Sequence, residues 1–286
     1  MSKLCMITFS LLMVELYASA FASEVRSVWM KDLPYESWMN AMLMGVKVGN
    51  LYVHVDRINY KGDSVLRVNS TMSTEIKRFG ISIKNSKTKM FYLKDDLTPV
   101  YFISKSDETG QEKVVEGTIT NGTVKLKTTL EGKTTEKHQN IPPNTIFAEA
   151  IEEITVRKGL KTGNKFSLNV FSLDFFDTMK VDVYVGNKEY INYKGKSVEV
   201  FAVDYTMDIM GGITTREWIT PEGEVYKMEM TELGMSFIKV EKDEAMGDVG
   251  QLDLILKTKI ELIGERPKPG IKNFKVKVSI PEGDIR

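Results

Sequence analysis

Two histidines, one cysteine and scattered carboxylates are the groups from which this chain would have to build a catalytic centre. His54 lies two residues from both Tyr52 and Asp56, so in a strand all three share one face. A polar cluster is one outcome, but a solvated outer strand face is the simpler expectation. His138, inside Lys137-His138-Gln139-Asn140, reads as exposed. No His-x-His or His-Glu-x-x-His spacing occurs, so no zinc site is expected. Gly234-Met235-Ser236-Phe237-Ile238 starts like a hydrolase nucleophile elbow but lacks its second glycine. Gly211-Gly212, between strand-like runs, suits a turn or bulge better than a phosphate loop. Asp174-Phe175-Phe176-Asp177 is the most suggestive carboxylate group, because aromatic burial raises a carboxyl pKa toward general-acid work. Without a positioned partner it reads as a turn with Phe175 and Phe176 anchored in the core. Glu149, Glu152 and Glu153 read as charges at a helix terminus. The expectation is a protein with no catalytic residue, no metal site and no cofactor.

Methionine is the unusual residue, with 16 in the chain. It clusters at Met30, Met39, Met42 and Met44, at Met207 and Met210, and at Met228, Met230 and Met235. A flexible, polarisable side chain suits an adaptable apolar surface, and it also fills ordinary cores. A cleft for a lipid or other apolar ligand would be lined by Phe147, Ile151, Phe171, Met207, Met228 and Met230.

The elements that would position these residues are mainly strands. Leu51, Val53 and Val55 alternate with polar neighbours, and Val124 and Leu126 do so directly after the hairpin pair Asn121-Gly122. Further turn signals stand at Lys61-Gly62, Asp95-Asp96, Thr109-Gly110, Gly186-Asn187, Lys194-Gly195 and Glu222-Gly223, the spacing of an antiparallel meander. One amphipathic helix is expected over 145–158, with Asn144 as its N-cap, Phe147, Ala150, Ile151 and Ile154 on one face, and Gly159 at its end. Ile58-Asn59-Tyr60-Lys61-Gly62-Asp63-Ser64-Val65 recurs as Ile191-Asn192-Tyr193-Lys194-Gly195-Lys196-Ser197-Val198, changed at one position. Two related meanders, about 36–140 and 164–240, would then form an open, half-barrel-like sheet packed on the helix. A further strand is expected at 252–256. Residues 263–286 read as a Pro/Gly linker and a terminal strand, whose Phe274, Val276, Val278 and Ile280 would need a partner to cover them.

The 286 residues are 42% hydrophobic, with 39 basic against 39 acidic side chains, which disfavours disorder and offers no basic excess for nucleic acid. Lys3, the apolar run Leu4 to Val14 and Ala20-Phe21-Ala22 resemble a secretory signal peptide over 1–22, so a periplasmic or secreted protein is expected. No later segment has the roughly 20 apolar residues of a membrane helix. Cys5, the one cysteine, falls inside the signal, which leaves residues 23–262 as a disulfide-free β-domain.

Met39-Asn40-Ala41-Met42-Leu43-Met44-Gly45-Val46-Lys47-Val48-Gly49, Arg157 to Gly163, Trp218 to Val225 and Leu254 to Ile263 together resemble the N-terminal β-domain of bacterial exported transglutaminase-like proteins. In that family the catalytic Cys, His and Asp lie in a downstream core, so the resemblance carries no catalytic residue to this chain. It implies a related envelope β-domain; the unaccompanied terminal strand then points to a non-catalytic domain that binds a protein or envelope component, accessory to a separate enzyme of that type. The alternative is a periplasmic carrier for a lipid or other apolar ligand.

Overall fold

The computed structural model describes residues 27–250 and 252, apart from residue 79 and residues 209–211. The expected signal peptide, the linker and the terminal strand with Phe274, Val276, Val278 and Ile280 lie outside the described residues. Of the strand expected at 252–256, only Leu252 is described; it is buried, and its carbonyl accepts the Lys77 N–H at 2.8 Å.

Among the described residues, fifteen strands form one sheet. The first eight are β1 Tyr35–Leu43, β2 Val46–Tyr60, β3 Asp63–Arg78, β4 Ile81–Leu93, β5 Pro99–Glu108, β6 Gln111–Thr120, β7 Thr123–Leu130 and β8 Lys133–Asn140. The other seven are β9 Ile146–Phe147, β10 Lys165–Ser172, β11 Asp177–Tyr193, β12 Lys196–Met207, β13 Ile213–Ile219, β14 Val225–Met230 and β15 Met235–Val240. Three short helices accompany them: α1 Val28–Lys31, α2 Ile151–Lys158 and α3 Lys242–Ala245. Each half of the chain is a meander, and the halves join through an antiparallel ladder between β1 and β15, Trp38 opposite Val240 and Leu43 opposite Met235. Spatially the sheet runs from β8 back to β1, crosses to β15, and runs back to β9. All pairings are antiparallel except the short one between β9 and β10. The architecture is therefore mainly β and open, as the alternation predicts.

The sheet curls over on itself. Phe102 of β5 meets Phe147 of β9 at 5.7 Å and Phe171 of β10 at 5.8 Å between ring centroids, although these strands sit near opposite ends of the sheet order. Right-handed strand twist makes a sheet of this many strands coil, and the apolar inner faces then cover one another. The inner core includes Val55, Leu66, Val68, Phe91, Leu93, Phe102, Val115 and Leu126 from the first meander and Phe147 and Phe171 from the second. Gly117 makes room for this packing, because a Cβ there would lie 2.2 Å from the Phe102 ring.

The repeated octapeptide forms the same hairpin twice. Lys61 and Gly62, and Lys194 and Gly195, all have positive φ, as a tight two-residue hairpin turn demands. Asn59 Oδ1 accepts the Gly62 N–H at 3.1 Å and Asn192 Oδ1 accepts the Gly195 N–H at 2.9 Å.

Three local expectations are corrected. Gly186-Asn187 is no turn: it lies inside the single long strand β11, at a bulge between Val185 and Lys188. Glycine is needed there because a Cβ would stand 2.7 Å from the Ala202 carbonyl oxygen. The helix is shorter than 145–158. Residues 146–147 are strand, a single 3-10 turn spans Ala148–Ala150, and α2 begins at Ile151 with no side-chain cap, so Asn144 does not cap it. Phe175 is 50% exposed and not in the core, while Phe176 packs against Phe102.

Candidate functional site

The inner face changes character along its strands. In β4 the inward residues run Asn85, Lys87, Lys89, Phe91, Leu93; in β3 they run Leu66, Val68, Ser70, Met72, Thr74. One end of the interior is a filled apolar core, and the other is polar and hollow.

Between them lies a cavity of about 440 Å³, within the size range of small-molecule sites. Its wall is built across the seam that joins the two meanders. Met228 of β14 stands opposite Phe237 of β15, which stands opposite Ala41 of β1; Met39 stands opposite Leu51 of β2, and Leu51 opposite Met72 of β3. Five methionines, Met39, Met72, Met228, Met230 and Met235, line this chamber. Cross-strand neighbours on one face touch, so the stripe is continuous. Trp29 of α1 closes another side.

The charged end comes from both meanders. Lys89 Nζ donates to Glu149 Oε1 and to Asp174 Oδ2, both at 2.7 Å, and Lys87 Nζ donates to Asp174 Oδ1 at 2.5 Å. Burial opposes the charge on Lys89, whose side chain is 14% exposed, but the two carboxylates outweigh it and hold its pKa above the ordinary lysine value. Burial works against ionisation of Asp174 too, and the two ammonium groups overcome it, so its carboxyl lies below the usual range.

Deeper in, Glu152 on α2 lines the same cavity and hydrogen-bonds Glu217 of β13, which is 3% exposed. Burial pushes both carboxyls up; repulsion from Glu152 raises Glu217 further, whereas Glu152 is raised by Glu149 and Glu153 and eased down by its hydrogen bond to Glu217. Two such groups share a hydrogen bond only when one is protonated. The Tyr205 hydroxyl is buried beside them and pushed up by the same desolvation. Glu153, also 3% exposed, accepts from Ser27 Oγ and from Arg157 Nε, each at 2.6 Å. Glu152 and Glu153 do stand in the first turn of α2, and Glu149 in the 3-10 turn before it, but each also meets an interior partner. The sheet wraps the helix, and all three point at interior partners.

A second cavity of about 290 Å³ adjoins the first and shares Met72, Lys87 and Asp174 with it. Its lining includes Thr74, Asn85, Ser104 and Ser106, with Lys113 and Glu108.

Of the apolar-ligand residues expected from sequence, Met228 and Met230 line the methionine chamber. Phe147 and Phe171 are sealed in the filled core, and Ile151 and Met207 pack into a neighbouring cluster, so none of these four reaches the chamber. Asp177 does not join Asp174; it accepts from Gln139 at 2.5 Å. His54 stands on the outer face. Its Nδ1 is 3.2 Å from Glu36, Tyr52 also donates to Glu36 at 2.9 Å, and Trp38 stacks on Tyr52 at 4.2 Å. His138 lies on the exposed strand β8. Lys87 and Lys89 were not among the expected site residues. Their parity with Phe91 and Leu93 was the available signal, since residues two apart share a face.

A curled single sheet around a part-filled interior is a β-barrel-like architecture, and one solved structure agrees on the fold. A crystal structure titled a beta-barrel-like protein of the domain of unknown function DUF1849, from Brucella abortus, is similar to this chain with a TM-score of 0.54 and 13% identity, over 72% of this chain and 95% of that one. A DUF1089 family protein from Pseudomonas aeruginosa matches more distantly, with a TM-score of 0.37 and 8% identity over 62% of this chain and 87% of its own. No functionally curated protein matches the sequence. The chain belongs to the family described as protein of unknown function DUF3108, whose profile matches residues 35–251. The resemblance to transglutaminase-like proteins has no counterpart in these matches.

Proposed function

We propose that this is an exported, non-catalytic binding protein that holds an apolar or acyl-chain ligand in the methionine-walled chamber. One observation carries this reading: five methionines from four different strands converge on one hollow of about 440 Å³ instead of filling it. Native cores are packed to crystal-like density, so an apolar space of this size is an arrangement with an occupant in view. Methionine suits chains of varied length and shape, because its thioether and three torsions adapt at little energetic cost. The leading expectation from sequence, a protein or envelope partner, rests on the terminal strand, which lies outside the described residues, and the interior geometry favours the alternative, an apolar ligand.

Native mass spectrometry of the protein purified from its producing cells, before and after organic extraction, tests the reading. A bound apolar species near one per chain is expected, lost on extraction. A protein that arrives empty and takes up no alkyl compound afterwards would overturn it.

A further inference from the structure

The second cavity names the other end of the ligand. We infer, resting on the reading just proposed, that the occupant is a neutral amphiphile whose hydroxylated head sits among Thr74, Asn85, Ser104 and Ser106 while its chain lies against the methionines.

Three observations carry this. The chambers are contiguous, sharing Met72, Lys87 and Asp174, so one elongated molecule can thread from one to the other. The charges at the junction already balance: Lys87 and Lys89 both donate to Asp174, and Lys89 also to Glu149. The second chamber adds one lysine, Lys113, and one carboxylate, Glu108. At the junction an anionic head would have to take Lys87 or Lys89 from its carboxylate, and a cationic head the reverse, each leaving a part-buried charge unpaired, while Lys113 lies over the Phe176 ring. A hydroxyl avoids both costs and suits the short hydroxyl and amide side chains of the lining, which donate and accept without carrying charge. The first chamber, where Lys89 links Glu149 to the shared Asp174, also presents an acceptor awaiting a donor, since Glu149 Oε2 is buried with no hydrogen-bond partner. Leaving such an oxygen unsatisfied is costly, and a ligand hydroxyl would satisfy it.

The test is calorimetric titration of the full chain with four compounds that share a dodecyl chain, each below its micellar concentration: dodecyl glucoside, laurate, dodecyltrimethylammonium and 1-dodecanol. The glucoside should bind at least about tenfold more tightly than either charged compound. A Thr74→Val, Ser106→Val double variant should weaken the glucoside about tenfold and leave 1-dodecanol unchanged. These swaps sit on β-strands, where valine is well accommodated. The comparison of heads on the unaltered chain stands even if the variant does not fold. If laurate or the ammonium compound matches the glucoside while 1-dodecanol binds, the assignment of the head is wrong and the apolar-ligand reading survives. If no compound binds, 1-dodecanol included, both fall.

Discussion

At the scale of single residues, the interior carboxyls set the behaviour most open to measurement. Glu152 and Glu217 are both raised by burial, Glu152 to about 7 and Glu217 well above the ordinary glutamate value. In the unfolded chain both would titrate near the ordinary glutamate value of about 4.3. Between those limits the folded protein holds protons that the unfolded chain has released, so stability is greatest below about pH 4.5 for this pair and declines as pH rises through neutrality. The expected result is a melting temperature several degrees lower at pH 8 than at pH 5.5, measured in buffers of matched ionic strength. Glu217→Gln keeps the hydrogen bond without that group's titration and should reduce the slope to the part that Glu152 contributes. A wild-type profile that rises over this interval would contradict the assignment. The lysines behave differently. Lys89 keeps its charge because Glu149 and Asp174 flank it, so it contributes nothing to the slope near neutrality.

At the scale of elements, two glycines separate the effect of close approach from that of backbone conformation. A Cβ on Gly49 would lie 1.8 Å from the Ser73 carbonyl oxygen, inside the ladder of β2 and β3, where neither backbone can move alone. Gly45 has φ +76 with nothing near its absent Cβ. Gly45→Ala should therefore cost about 1–2 kcal/mol through its left-handed backbone, and Gly49→Ala more than about 3 kcal/mol because a strand must shift. Chemical denaturation of the two variants checks the order. The strands themselves were legible in the sequence, since burial of one face forces a period of two and glycine pairs such as Asn121-Gly122 supply positive φ at the turns. What misled was local identity of composition. Gly186-Asn187 has the residues of a turn but serves a bulge, because a bulge and a turn both need a residue free of steric demand. Lys87 and Lys89 look like outward residues, and they face inward only because Glu149 and Asp174, far away in the chain, receive them. Met228 and Met230 could be named as candidates from type and clustering. Phe147, Ile151 and Phe171 could not be told from cavity lining, since alternation reports which face a residue takes and not whether that face is filled. Nor does any strand's pattern announce its neighbour, and the pairing of β1 with β15 was invisible for that reason.

At the scale of the whole molecule, that pairing governs how the protein holds together. β8, at one end of the sheet, is exposed along nearly its full length and carries Lys133, Lys137 and Glu136, the charged dressing that discourages edge-to-edge association. β1 and β15 have no such protection; they bear Met39, Ala41 and Phe237 and depend on each other to cover their edges. A chain ended after residue 230 should accordingly lose cooperative unfolding in calorimetry and bind hydrophobic dye, whereas removal of residues 253–286 should spare both properties. The seam also has a meaning in time. Trp38 is made early and its partner Val240 some two hundred residues later, and long-range pairings of this kind fold slowly. During synthesis β1 finds β2 almost at once, but its other edge stays bare until nearly the whole family region has been delivered. The methionine chamber, whose wall straddles that seam, therefore does not exist in a growing chain that has not yet reached β15. It is born at a single moment late in the life of the polypeptide, and whatever enters it can do so only after that date.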